Sequence, residues 1–280
     1  MTSTSATVVR TEQAAVRPTH RPGFSDLTRG EWTKLRTLRS TWWSLGVMTA
    51  LGIAFTVLAC AVYTSRFDHL DAATQLRFRQ DTIGLILQPS ANFASLAVSV
   101  LGVLLIASEY STGMIQATML ATPRRTSALL SKAAALSALV FAVSVLIALV
   151  CFFLGSAITS SHASTSITDP INIRAILAFG LFMTATGVIA LSVGTLVRHT
   201  AAGVSLVLAL QFVLPGVLSM IPGSLGSHLS NALPGSANVM MSSGHDATNV
   251  YTPLQCLFIL LGWVFVLGGA ALASIKKRDV

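Results

Sequence analysis

The sequence predicts an all-α integral membrane protein with six transmembrane helices, on three observations. Of its 280 residues 53% are hydrophobic and only 10% are charged, against roughly 25% charged in a soluble domain. The apolar residues gather into six stretches long enough to cross a bilayer, for which about 20 residues suffice. The Lys and Arg between those stretches fall mostly on alternate connections.

Residues 1–23 are rich in Ser, Thr and Arg and hold no apolar run. They read as a disordered arm, without the apolar centre of a cleavable signal peptide. Over 24–41, helical spacing gathers Phe24, Leu27, Trp32, Leu35, Leu38 and Trp42 on one broad side. An amphipathic helix lying in the membrane interface satisfies that pattern. Asp26 is its expected N-cap, with Leu27 starting the helix, and Trp32, Trp42 and Trp43 suit the headgroup layer. Glu31 falls near the centre of the apolar side, where a carboxylate needs a cation; Arg124 or Arg125 are the candidates.

The six-helix domain then runs over 42–280, with spans at about 42–63, 83–108, 128–158, 173–197, 201–221 and 254–275. The third exceeds what a perpendicular helix needs, so it tilts or projects, with Lys132 snorkelling to the interface. Gly180, Gly187 and Gly194 recur every seven residues in the fourth and predict close helix packing, within the chain or across a dimer. Pro215 with Gly216 can bend the fifth. Cys60, Cys151 and Cys256 lie in or beside apolar spans and show no metal-ligand spacing.

Six spans put both termini on one side. Fourteen of the 18 Lys and Arg lie there with five acids, whereas the other side keeps Arg66, Arg77, Arg79 and Arg174 with five acids. The cationic side is cytoplasmic by the positive-inside rule, so the expected location is the bacterial plasma membrane with both termini inside. The same distribution makes a pI near 10.1 a property of one membrane face, not of a nucleic-acid-binding surface.

After the second span, SEYSTGMIQATMLATPRRTSALLSK forms a cytoplasmic connection. Gly113 permits a change of direction, Met114, Ile115 and Met119 can face outward from a short helix, and Pro123 stops it. A Met-rich helix suits docking to a soluble partner, although a hairpin lying on lipid has the same composition.

The runs GEWTKLRTLRSTWWSL (30–45) and EYSTGMIQATMLATPRR (109–125), with Lys132 opening the third span, resemble membrane subunits of the type-2 ABC transporter permease family. The resemblance covers most of the chain, and its specific motifs sit in those two segments. It implies an elbow helix containing Glu31, Trp32, Lys34 and Leu35. It also implies an ATPase-coupling segment containing Glu109, Tyr110, Gly113, Met114, Pro123, Arg124 and Arg125, and an outer re-entrant segment within 222–253. Met114 departs from the Thr such permeases often carry after the Gly. The implied partners are an ABC ATP-binding subunit and a second membrane subunit, identical or paralogous.

No GxxxxGK[ST] loop is present, so this chain binds no nucleotide cofactor; ATP and Mg would belong to the partner subunit. Ionisable residues sit at span edges, which gives no support to proton coupling through a buried carboxylate. The mildly polar residues at depth include Asn92, Ser95 and Ser99, one stripe at helical spacing, and Gln211 on the fifth span. Singly they read as interhelical hydrogen bonds; together they are the candidate cargo path for a hydrophobic or amphipathic molecule such as a drug or lipid. Neither GxSxG nor HExxH is present, so an enzyme is not expected. A non-transporting scaffold or immunity protein shares the topology. A tag placed within 114–124 is expected to react only from the cytoplasm; labelling from outside intact cells would overturn the topology.

Overall fold

Hydropathy places apolar helices, and helices are what the chain forms. The computed structural model describes residues 23–113, 125–163, 165–243 and 250–277, without the side chains of Arg125 and Lys277. Met114, Pro123 and Arg124, with the short helix expected around them, lie outside the described residues. Among the described residues every regular element is helical.

Helix α1 spans Phe24–Thr37 and α2 Arg39–Ser65. After a 3-10 turn, α3 spans Ala72–Gln80 and α4 Thr82–Ser111. Next come α5, Arg125–Thr159, and α6, Pro170–Val197. Helix α7, Thr200–Leu208, runs through a π-helical turn at Ala209–Val213 into α8, Leu214–Ser219. Helix α9, Ser224–Asn231, precedes a 3-10 segment, Pro234–Met241, and α10 closes the chain over Pro253–Lys277. Among the described residues six helical units are long and apolar enough to cross a membrane: α2, α4, α5, α6, the α7–α8 unit and α10. At 35 residues, α5 is about 52 Å long, beyond the roughly 30 Å hydrocarbon layer.

The bundle is built around α4 and α6, 72% of whose apolar windows are buried, against 17% for α7–α8 and α10. The glycine repeat is used inside the chain. Gly194 faces Ile106 and the Val103 backbone of α4, and Gly180 faces Phe141 and Val145 of α5. The matching glycine is Gly102 on α4, where a Cβ would come within 2.5 Å of the Gly187 carbonyl oxygen. The cysteines are free and buried.

The N-terminal helix differs from the sequence expectation in two ways. It starts at Phe24, with Gly23 at the N-cap; Asp26 stands at the third position and accepts the Gly23 N–H at 3.0 Å. Its apolar stripe is buried only in part: Leu35 and the Glu31 near its centre are buried, whereas Phe24 is 52% and Leu38 43% exposed. The chain extends at Leu38 before α2 begins.

At the bundle end away from α1, the 224–243 chain folds back onto α4, α6 and α10. Asn238 donates to Asn92 Oδ1 at 2.8 Å, the Ser243 N–H to Asp81 Oδ1 at 2.6 Å, Arg174 to the Ser242 carbonyl, and Trp263 to the Ala232 carbonyl at 2.9 Å.

Gly102→Ala must push Gly187 backbone aside and is expected to lower stability in detergent by about 1–3 kcal/mol, the cost of overpacking. Gly262→Ala, which meets nothing within 4 Å, serves as the neutral control in the same unfolding titration.

Candidate functional site

The site is a closed ring of four charges where α1, α4 and α5 meet. A carboxylate on the inward side of α1 and another near the end of α4 cannot be buried alone. Lys132, two turns into α5, answers both, donating to Glu31 Oε2 at 2.7 Å and Glu109 Oε1 at 2.8 Å. Lys34 completes the ring, donating to Glu31 Oε1 at 2.9 Å and Glu109 Oε1 at 3.2 Å. Each charge therefore has two opposite neighbours. Glu31, Glu109 and Lys132 are 7%, 5% and 3% exposed; the Lys34 side chain, at 35%, is the ring's wet edge.

One reading of the sequence is corrected here and one is added to. Lys132 does not snorkel to the interface, because two buried carboxylates hold its ammonium inside the protein. Among the described residues the cations that Glu31 meets are Lys34 and Lys132. Of the expected pair, Arg124 and the Arg125 side chain lie outside the described residues. The cue for Lys34 was its place three residues after Glu31 on one helix face; Lys132 is 101 positions away and left no local cue.

Burial works to raise the Glu31 carboxyl, but the charge and hydrogen bonds of Lys132 and Lys34 prevail and hold it below its ordinary value. Burial likewise works to lower the Lys34 ammonium, and its bonds to Glu31 and Glu109 raise it instead.

Beside Glu109, Tyr110 faces the other way. Arg198, the C-cap of α6 at φ 59°, sets its guanidinium 5.2 Å from the Tyr110 ring centre. Two consecutive residues thus join the end of α4 to α1 and α5 on one side and to α6 on the other. Gly113 follows at φ +70°, a backbone conformation that penalises side chains. Trp32 is 38% exposed and Leu35 1%: only Leu35 enters the core beside the ring.

The candidate cargo residues are divided. Ser99 donates to Gln211 Oε1 at 2.9 Å, and Gln211 donates to Thr186 at 3.3 Å, a buried link among three helices. Ser95 is spent on its own helix, donating to the Asn92 carbonyl at 2.7 Å. Asn92 and Gln211 alone of the four line an open cavity of about 480 Å³, with Phe93, Leu96, Phe212 and Asn238. Gln211 sits in the π turn. Pro215 lacks the N–H that would bond the Gln211 carbonyl and its ring would strike that oxygen, so the helix widens one turn before the proline. Gly235 packs against the same carbonyl so closely that a Cβ would lie 1.9 Å from it.

Among the described residues no three His, Cys, Asp or Glu side chains group as metal ligands, and both ring carboxylates are occupied by ammonium groups. No protein-family model matches the chain, and no curated protein matches it.

Lys132→Met leaves two buried carboxylates to share Lys34 and is expected to cost about 3–5 kcal/mol in stability, with Glu109→Gln in the same chain recovering part of the loss; denaturant titration of wild type, the two single variants and the double variant measures both. For pH, the Glu31 contribution is complete above its ordinary value of 4.5 and is lost as pH falls through the depressed one. The Lys34 contribution is complete below 10.5 and is lost as pH rises through the elevated one. Ring-dependent stability is therefore expected to be level from about pH 5 to 10, and Glu31→Gln with Lys34→Met should flatten both flanks.

Proposed function

We propose that this chain is the membrane subunit of an ATP-driven exporter of the type-2 ABC permease class, moving a hydrophobic or amphipathic cargo such as a drug or lipid outward. Its α1 end faces the cytoplasm of a bacterial cell, and a separate ATPase subunit binds ATP and Mg. The observation that carries this reading is the ion ring. The 112–124 connection leaves α4 just after Glu109 and returns into α5 just before Lys132, and those residues are bonded to each other and to α1. A push on the connection is delivered to three helices as a unit, and through Tyr110 and Arg198 to α6. A coupling segment requires that rigidity at its base.

The cavity between α4 and the π turn supplies a path wall. Its 480 Å³ lies within the roughly 300–1,000 Å³ of small-molecule sites, and apolar walls with few amides suit a greasy cargo. A second membrane subunit, identical or paralogous, would close its open side. Asn238 meets Asn92 ten residues into α4, about 15 Å along the axis. That depth supports a re-entrant role for the 224–243 segment as the outer gate, just as the interfacial run of α1 supports its role as the elbow.

In proteoliposomes containing the chain and its ATPase, Glu109→Ala and Gly113→Val are expected to lower ATP-driven transport about tenfold, the effect of roughly 1.4 kcal/mol on a barrier, while the protein still inserts. Undiminished transport by both well-expressed variants would refute the coupling role.

A further inference from the structure

A second cavity, of about 190 Å³, lies between α1, the start of α2 and the middle of α5. It is too small for a drug-sized cargo. Its walls include the apolar side chains of Trp32, Leu35, Leu45 and Leu139, and its rim carries Arg36 and Trp42.

One group there is unspent. Thr41 is 1% exposed and its hydroxyl has no hydrogen-bond partner, although it lines the cavity. Thr28, Thr33, Thr37 and Thr49 all donate to the carbonyl four residues earlier. Thr41 cannot do so, because the chain extends at Leu38 and the helix behind it is interrupted. A buried hydroxyl donor without an acceptor costs free energy unless something enters to accept from it.

The surroundings specify what enters. Helix α2, 27 residues long, starts at Arg39 with no side chain capping its N-terminus, so its positive end is open to an anion. Arg36 and Arg39 add two cations, neither paired with a carboxylate among the described residues. Trp42 Nε1 donates to the Arg36 carbonyl at 2.9 Å, holding the rim in place while its ring, 60% exposed, stands in the headgroup layer.

We propose that this cavity binds one anionic phospholipid from the leaflet at the α1 end, its phosphate between Arg36, Thr41 and the start of α2, and its glycerol and first methylenes against the apolar wall. A free anion would gain the charges but leave that wall empty. Basic pockets beside membrane helices bind lipid headgroups in this way. The site is independent of whether the chain transports anything.

The test uses the full chain reconstituted in vesicles of equal parts phosphatidylglycerol and phosphatidylcholine, then released for native mass spectrometry. Wild type is expected to keep one phosphatidylglycerol with about tenfold preference. Arg36→Gln should abolish the preference, Thr41→Val should reduce it severalfold, and Arg36→Lys should keep part of it, showing that the fold survives. Arg29→Gln, exposed on the same helix and outside the cavity, should change nothing. Equal retention of both lipids by wild type, or an Arg36→Gln preference matching wild type, overturns the site. So does an equal loss in Arg29→Gln, which would mean unspecific charge. Displacement of the lipid by inorganic phosphate would reassign the anion to solution and overturn the lipid reading as well.

Discussion

Burying three charges, with a fourth at the wet edge, where three helices meet is the constraint on which the arrangement at the α1 end depends. An isolated ion taken from water costs several kcal/mol even after relaxation, so Glu31, Glu109 and Lys132 can be buried together but not separately. The ring satisfies that demand by alternation, each ammonium between two carboxylates, and it is neutral as a whole. Well-packed apolar side chains could hold the helices with similar strength. They would not fix one register, because apolar contact is non-directional, whereas a shift of α1 by one turn would leave a buried carboxylate facing hydrocarbon.

The opposite end is organised by a different defect. Pro215 withholds one N–H, the helix widens at Ala209–Val213, and the Gln211 side chain enters the bundle to meet Ser99 and Thr186. The freed carbonyl is what Gly235 packs against, so one proline positions both a buried amide and the chain that folds back over it. The returning segment is then held by Asn92, Asp81 and Arg174, one from each of three connected places. These polar bonds supplement apolar packing, since Ala237, Met240 and Met241 of the segment are buried in the main core.

What could be read from the sequence depended on whether the relevant partner was local. The six spans were legible because span length and hydropathy are properties of one segment; the helices run beyond them where polar residues such as Arg39, Ser40 and Thr41 remain helical. The demand for a cation beside Glu31 was legible from its place on an apolar stripe. That Lys132 is one of its partners was not, since nothing in the 100 intervening positions records which helix ends meet. Snorkelling was the default for Lys132 because a lysine near a span end usually reaches water; only the fold shows two carboxylates closer than the interface. The helix starts three residues before the position that Asp26 suggests, a glycine N-cap giving no side-chain signal. The polar stripe of α4 was legible in periodicity, yet which members faced a cavity was set by the π turn, whose position follows from a carbonyl clash rather than from hydropathy.

The two features of α1 meet in a single short stretch. Glu31 and Lys34 point into the ring, while Trp32 and Arg36, each one or two residues away, line the small cavity. Leu35, buried to 1% exposure, separates the two and belongs to the core. A helix of 14 residues has no internal joint here, so tilting it to suit one side displaces the other by a similar amount. An occupant that prefers one tilt of α1 would therefore bias the ring, and by linkage that tilt would alter the affinity of the cavity by the same factor. The bilayer surface and the base of the 112–124 connection are in this way two ends of one rigid element.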